Sequence, residues 1–182
     1  MKIYLSILRG INVSGHKMIK MDALKQIYSD LGFLNVQTYI QSGNVVFQSK
    51  SQNTNEIATQ IEEKITAVFN FEVPVLVIEF EELKSIITQN PFTKDQSKDT
   101  SFFHVTFLKE KSSIENFNKI KDLHSNNDEF QLIDKSIFLY CPNGYRNTKL
   151  NNNFFENKLK TTATTRNWKT VNELAKIAEK TI

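Results

Sequence analysis

The spacing of hydrophobic residues in the first half of the chain changes between the period of strands and that of helices. Ile3, Leu5 and Ile7 alternate along residues 2–11, which predicts a strand whose other face is also partly apolar. Leu24 and Ile27 have helical spacing, and a glycine at position 32 supplies a left-handed stop. The same reasoning predicts, in order, a strand at 2–11, a helix at 22–31, two strands within 36–49, a helix at 55–69 and a strand at 73–80.

This order of elements, βαββαβ, is that of the ferredoxin-like plait, in which an antiparallel sheet of four strands carries two helices on one face. The second half repeats the architecture in part, with a strand at 101–108, a helix at 113–123, strands at 129–133 and 136–141, and a helix at 149–159. No final strand is obvious there. We therefore predict an α/β (α+β) protein with two ferredoxin-like subdomains, at residues 1–90 and 91–182.

A last helix is predicted to start at Thr170 or one turn earlier, because Thr170 and Glu173 have the spacing of a capping box. Arg166, Asn167 and Trp168 then lie at the positive end of that helix, where unpaired N–H groups favour an anion. A structural alternative is that Trp168 packs on the core and Arg166 pairs with a carboxylate. The sequence leaves both interpretations open.

Composition and charge restrict the function only loosely. The net charge of +3 permits weak attraction to polyanions without requiring it. Cys141 is the only cysteine, so no intrachain disulfide forms, and no Cys/His spacing is typical of a metal site. His16, His104 and His124 are scattered, and no nucleophile or carboxylate pair has catalytic spacing, so we expect neither a metal nor a cofactor. Without a signal peptide or membrane span, the expected location is the cytoplasm.

Arginine is scarce, with three residues among 23 basic ones. Each arginine adjoins a turn-forming or amide residue, in the pairs Arg9-Gly10, Arg146-Asn147 and Arg166-Asn167. The planar guanidinium group suits phosphate and carboxylate better than an ammonium group does. We therefore predict that the arginines contact an anion, in one cleft if the three segments converge.

Two glycine-containing loops offer backbone amides to the same ligand, although each also has a structural interpretation. The stretch GINVSGHK follows a strand, but Lys17 comes one residue later than in a nucleotide-triphosphate loop and no Ser or Thr follows it. Ser42, Gly43 and Asn44 have the composition of a tight hairpin turn. Aromatic residues of the nearby strands would stack on bases if the sheet bound RNA as modules of similar topology do: Tyr4, Tyr39 and Phe47.

Three stretches, LRGINVSGHKMIKM, YIQSGNVVF and TTRNWKTVNELAKI, resemble a widespread bacterial family known as domain of unknown function 1697. The resemblance covers nearly the whole chain and implies ferredoxin-like units, but no established activity. The chain departs from the family pattern at Ser14-Gly15, where relatives often have Gly-Gly, and in the position of Lys17. The motif residues that the resemblance implies are Arg9, Gly10, Asn12, Gly15, Ser42, Gly43, Asn44, Thr165, Arg166, Asn167 and Thr170.

Together these features predict a non-enzymatic protein that binds the phosphates of RNA, DNA or a nucleotide. The arginines would contact phosphate, while Asn12, Asn44 and Asn167 would orient it or recognise polar edges; Lys17, Asn147 and Trp168 complete the predicted site. An enzyme acting on a phosphorylated or carboxylated metabolite and a protein-interaction module remain alternatives. The sequence predicts no membrane partner and leaves the oligomeric state open.

Overall fold

The computed structural model describes residues 1–123 and 127–181, so His124 lies outside the described residues. The chain divides into two compact units, which we call unit 1 (Met1–Ser85 with Glu173–Ile182) and unit 2 (Ile86–Asn172). The elements of unit 1 follow the predicted order: β1 (Lys2–Leu8), α1 (Met21–Asp30), β2 (Leu34–Tyr39), β3 (Asn44–Ser49), α2 (Thr54–Phe69) and β4 (Val75–Glu79), then α3 (Phe80–Gln89). How the chain divides into independently folding domains stays a prediction.

The four strands of unit 1 form an antiparallel sheet in the order β2-β3-β1-β4. This order confirms the ferredoxin-like plait. One face of the sheet carries α1 and α2, and a cluster of aromatic rings fills the space beneath them: Tyr4, Tyr28, Phe33 and Phe47. The phenol of Tyr28 is paired with the Ser6 hydroxyl at 2.6 Å in this core.

The other face of the same sheet is buried as well. Leu5, Val46 and Ile78 point to this face and are at most 3% exposed. Thr181, near the end of the chain, accepts hydrogen bonds from Gln37 on β2 and Gln48 on β3, both at 3.0 Å. The prediction that β1 is apolar on both faces is thus confirmed.

Unit 2 has the same topology, with strand order β6-β7-β5-β8. Its elements are β5 (Phe103–Leu108), α4 (Ile114–Asn118), β6 (Glu129–Ile133), β7 (Ser136–Tyr140), α5 (Asn152–Leu159) and β8 (Ala163–Asn167), followed by α6 (Trp168–Glu179). The repeat is therefore complete, and the expectation that it lacks a final strand was wrong. The missed strand β8 has the sequence ATTRN, which contains no large apolar residue; its pairing with β5 defines it.

Helix α6 starts at Trp168, within the predicted range of Thr170 or one turn earlier, but its cap differs from the predicted capping box. Asn167, not Thr170, caps the helix, because the Asn167 Oδ1 accepts a hydrogen bond from the Thr170 backbone N–H at 2.8 Å. Thr170 lies inside the first turn and is 4% exposed. Across the described residues, none of the helices is both long enough and apolar enough to cross a membrane.

Candidate functional site

The first motif loop of unit 1 is a small hairpin rather than a flexible phosphate loop. Ser14 and Gly15 have φ values of 50° and 77°, and positive φ at both central residues is what a type I′ turn requires. The His16 N–H donates to the Val13 carbonyl at 2.9 Å, and the Asn12 N–H donates to the Lys17 carbonyl at 3.2 Å. The loop therefore has a defined conformation, with its tip exposed to solvent.

The side chain of Asn12 joins this hairpin to the next one. Its Oδ1 accepts from the Ile19 N–H at 2.8 Å, while its Nδ2 donates to the carbonyls of Ile19 and Gln41 at 3.0 and 2.8 Å. Asn12 also has a left-handed φ of 53°, which asparagine tolerates better than most residues. These contacts give Asn12 a structural role, because its side-chain amide already forms hydrogen bonds within the protein.

The second motif, Ser42-Gly43-Asn44, forms the turn between β2 and β3. A Cβ on Gly43 would lie 2.7 Å from the Ile11 Cδ1 and 2.8 Å from the Leu8 Cβ, so only glycine fits. Asn44 is fully buried and donates from Nδ2 to the Tyr39 carbonyl and to the Ser42 Oγ, at 3.1 and 3.0 Å. The packing around this turn thus supports its structural interpretation.

The remaining predicted groups of unit 1 are partly committed to the fold. The Lys17 Nζ donates to the Glu72 carbonyl at 2.6 Å, and the Arg9 backbone N–H donates to the Pro74 carbonyl at 2.9 Å. Gly10, with φ 75°, is exposed and has open space where a Cβ would stand. Tyr4 and Phe47 are fully buried beneath the helices, so the expectation that they stack on bases was wrong.

In unit 2, His104 occupies the centre of a polar group at one end of the sheet. Its ring stacks on that of Tyr145, with centroids 4.7 Å apart and an interplanar angle of 23°. On the other side, His104 is paired in the sheet with Asn167 at the end of β8. We call this group the His104 edge: His104, Tyr145, Arg146, Asn147 and Asn167.

Burial lowers the pKa of His104 from its usual value, while a hydrogen bond to the Phe102 carbonyl opposes the shift. Burial therefore favours the neutral form of the imidazole. The Nδ1 atom lies 3.2 Å from that carbonyl, so Nδ1 carries the proton and donates it there. The Nε2 atom then has a lone pair that can accept a hydrogen bond.

The loop after β7 supplies the cation of the His104 edge. Gly144, with φ 86°, starts a short 3₁₀ turn at Tyr145–Asn147, and the Asn147 Nδ2 donates to the Asn143 carbonyl at 2.7 Å. The Arg146 side chain is exposed and pairs with no described residue. Its guanidinium group is consequently available to an external anion.

Arg166 has a different environment from the one predicted. It lies in β8, not in a loop, is half-buried, and donates from Nη1 to the Thr164 Oγ1 and the Thr165 carbonyl at 3.1 and 2.9 Å. Because side chains alternate along a strand, Arg166 points to the sheet face opposite that of Thr165 and Asn167. Arg166 therefore does not share a face with His104.

Thr165 and Trp168 also have contacts within unit 2. The Thr165 hydroxyl donates to the Asn152 Oδ1 at 2.6 Å and lies 2.7 Å from the Thr106 hydroxyl, which links β5, β8 and the start of α5. The Trp168 indole is half-buried and packs edge-on against Phe103, with centroids 6.4 Å apart. Within the described part of the chain, no group of three metal-ligating side chains is close enough to hold an ion.

A family model described as "Protein of unknown function (DUF1697)" matches residues 1–138. The chain belongs to this family. No curated protein matches the DUF1697 chain in sequence. Among solved structures it is similar to the conserved bacterial protein SP0830 from Streptococcus pneumoniae, with a TM-score of 0.78, 20% identity, and coverage of 98% of this chain and 99% of that chain. At that identity, the likeness shows the fold alone.

The predicted residues of this DUF1697 protein therefore fall into two sets. Arg9, the glycine loops and their asparagines belong to unit 1, whereas both Arg-Asn pairs belong to unit 2. Convergence of all three arginines stays a prediction. Within unit 2, the sheet places Asn167 and Tyr145 on either side of His104. Sequence reasoning missed the role of His104, since its two neighbours lie far away along the chain.

Proposed function

We propose that this DUF1697 protein binds the phosphates of a nucleotide or nucleic acid at the His104 edge, without chemical turnover. The observation that carries the proposal is the exposed Arg146 guanidinium, which has no partner among the described residues and follows a tyrosine stacked on His104. An exposed guanidinium can donate two parallel charge-assisted hydrogen bonds to one phosphate.

The charges along this part of the chain favour an anion. Between residues 135 and 172 the sequence has a single carboxylate, that of Glu156, among basic residues. Glu156 accepts from the Ala163 N–H at 3.0 Å, and Ala163 pairs with Leu108 at the far end of β5 from His104. Asp128, which contacts this loop through Thr148, is buried. The basic stretch consists of Lys135, Arg146, Lys149, Lys158, Lys160, Arg166 and Lys169.

The neutral histidine indicates how the ligand would be recognised beyond its phosphate. An imidazole without charge adds nothing to phosphate attraction, but the Nε2 lone pair can accept from an N–H of a base or a ribose hydroxyl. Binding across the sheet of unit 1, as in RNA-recognition modules, does not fit, because residues on both of its faces are buried. The ligand would instead bind at the end of the second sheet where β5 begins and β8 ends.

Trp168 provides the assay, because it is the only tryptophan and directly follows Asn167 of the His104 edge. We would titrate single-stranded RNA, duplex DNA, mononucleotides and inorganic phosphate at two salt concentrations, following its fluorescence. We expect saturable binding that weakens with salt and is reduced about tenfold by Arg146→Ala. Lys158→Ala removes the same charge from an exposed position on α5 and should change the affinity little. Equal losses of affinity in the two variants would show that binding depends only on net charge, and would refute the site.

One observation favours a protein-interaction module as a second candidate. Val13, Met18 and Ile40 are 58%, 61% and 49% exposed on the two hairpins that Asn12 joins. Exposed apolar side chains grouped on rigid loops are typical of contact surfaces. If this function applies, sedimentation should show a mass that rises with protein concentration, and Met18→Ser with Ile40→Ser should abolish the rise.

A further inference from the structure

The surface loop of residues 93–101 in unit 2 inserts one side chain into the protein. Every other residue of this loop is exposed, whereas the Lys98 side chain is only 15% exposed. The inserted side chain is a lysine, which rarely lies buried without a partner. What surrounds its ammonium group therefore defines a site.

The ammonium group of Lys98 lies between aromatic rings and a carboxylate. Its Nζ is 4.2 Å from the centroid of the Tyr140 ring and 5.7 Å from that of Phe92, both within cation–π range. The same atom forms an ion pair with the Glu129 carboxylate, and Asp95 Oδ2 lies 3.9 Å away. These contacts compensate an ammonium group for most of the hydration that it loses on burial.

Lys98 is also the tether of the loop. The other hydrogen bonds of residues 93–101 stay within the loop or reach its immediate neighbours: Thr93 to Asn90, Asp95 to Phe92, Ser97 and Ser101 to aspartates of the loop, and Phe102 to Asp99. Within this fully described segment, the contacts of Lys98 with Glu129 and Tyr140 are those that leave the neighbourhood of the loop. Withdrawal of Lys98 would therefore free the loop without breaking the sheet.

A cavity of about 140 Å³ lies beside the ammonium position. Phe92 and Glu129, which both contact Lys98, also line this cavity, together with Lys121, Phe130 and Gln131. A second ammonium group could thus reach Glu129 from the cavity while its carbon chain lay against Phe92. Glu129 thus matches the charged head of an amine and Phe92 its apolar chain, while the Lys121 side chain adds a positive charge to the lining.

We propose that Phe92, Glu129 and Tyr140 form a binding site for a primary alkylammonium ligand, which the chain's own Lys98 fills in this structure. A ligand of this class displaces Lys98 and releases the loop of residues 93–101. This proposal does not depend on phosphate binding at the His104 edge.

The chemistry of the walls selects an amine over other cations. A metal ion such as Ca²⁺ requires six or more oxygen ligands, whereas Glu129 and Asp95 are the carboxylates that reach this position. Aromatic faces attract organic ammonium ions, and a flexible four-carbon stem such as that of lysine already fits the approach. The expected ligand is therefore a primary alkylammonium ion, the same class of group as the Lys98 side chain that it replaces.

The first test removes the Lys98 side chain and supplies an external amine in its place. We would measure the melting temperature of the full chain carrying Lys98→Ala with and without n-butylammonium chloride, which has the same four-carbon ammonium structure as a complete lysine side chain. With ligand on the order of tens of millimolar, we expect a rise of about 2–4 °C relative to equal sodium chloride, and a smaller rise in the wild type. Neutral n-butanol, or the double variant with Glu129→Gln, should give no rise. A folded Lys98→Ala protein without an amine-specific rise would overturn the proposal.

The second test uses the wild-type protein and remains decisive if Lys98→Ala does not fold. An endoproteinase that cleaves at aspartate would attack Asp95 and Asp99 in the released loop. We expect n-butylammonium to accelerate this cleavage at least about threefold, after correction against a free peptide of the same segment, because cleavage follows the population of the open form. An unchanged rate at amine concentrations that leave the protein folded would show that no external amine displaces Lys98.

Discussion

A substitution at Gly43 tests whether the Ser42-Gly43-Asn44 motif is needed for packing at the β2–β3 turn. Replacing it with alanine puts a methyl group 2.7 Å from the Ile11 Cδ1 and 2.8 Å from the Leu8 Cβ. Both neighbours are buried, at 2% and 0% exposure, and the Leu8 N–H donates to the Gly43 carbonyl at 2.9 Å. Relief of the clash therefore requires movement of β1 or of the turn.

The expected cost has two parts. A non-glycine residue at the observed φ of 74° costs about 1–2 kcal/mol, and a methyl group forced into a packed core costs about 1–3 kcal/mol more. The reduced entropy of the unfolded alanine chain returns about 0.4–1 kcal/mol. We expect a net loss of about 2–4 kcal/mol in the free energy of unfolding.

Gly10 offers a matched control, because its φ is 75° and no atom lies within 4 Å of the Cβ that alanine would add. Gly10→Ala should therefore incur only the backbone cost, about 1 kcal/mol. The assay is urea unfolding followed by circular dichroism, with hydrogen exchange at the Leu8 amide as a local probe. Equal losses for the two variants, with unchanged Leu8 protection in Gly43→Ala, would refute the packing explanation.

Three further predictions concern buried groups. Tyr28→Phe should reduce the free energy of unfolding by about 1–2 kcal/mol, because it leaves the Ser6 hydroxyl buried without its partner; adding Ser6→Ala should recover part of the loss in the same urea assay. Burial raises the pKa of the Cys141 thiol to about 12, so a thiol reagent should react with it only in denaturant, and rapid labelling of the folded protein would contradict the buried position. The pKa of His104 is lowered in the folded state, so its stabilising contribution is complete above the unfolded pKa of about 6.5 and is lost as pH falls; unfolding midpoints at pH 7.5 and 5 should differ less in His104→Gln than in the wild type.

The first unit was predictable because its signals are local. The alternation in β1 and the Ser-Gly-Asn turn each specify their own conformation within a few residues. In β8 the signal is absent: Thr164, Thr165 and Arg166 become a strand only because β5 provides an unpaired edge. Sequence periodicity cannot report a strand whose stability comes from a partner far away along the chain.

The candidate site shows the same limit. An arginine beside an asparagine indicates a capacity to bind anions, but not which way the guanidinium points. Arg146 and Arg166 look alike in sequence, yet one is exposed after a turn and the other donates to Thr164 and Thr165 of its own strand. His104 stacks with Tyr145 and pairs with Asn167, and both contacts are properties of the folded sheet.

The division of unit 1 into two chain segments has a consequence for synthesis. Residues 1–85 leave the ribosome before unit 2, but the segment from Glu173 onward, which belongs to the same unit, is translated after it. The bonds from Gln37 and Gln48 to Thr181 can form only after the whole of unit 2 has been made. The first sheet, whose four strands are all made by residue 79, must therefore wait for this contact through the translation of residues 86–172, and in this interval it is more exposed to aggregation and to chaperones.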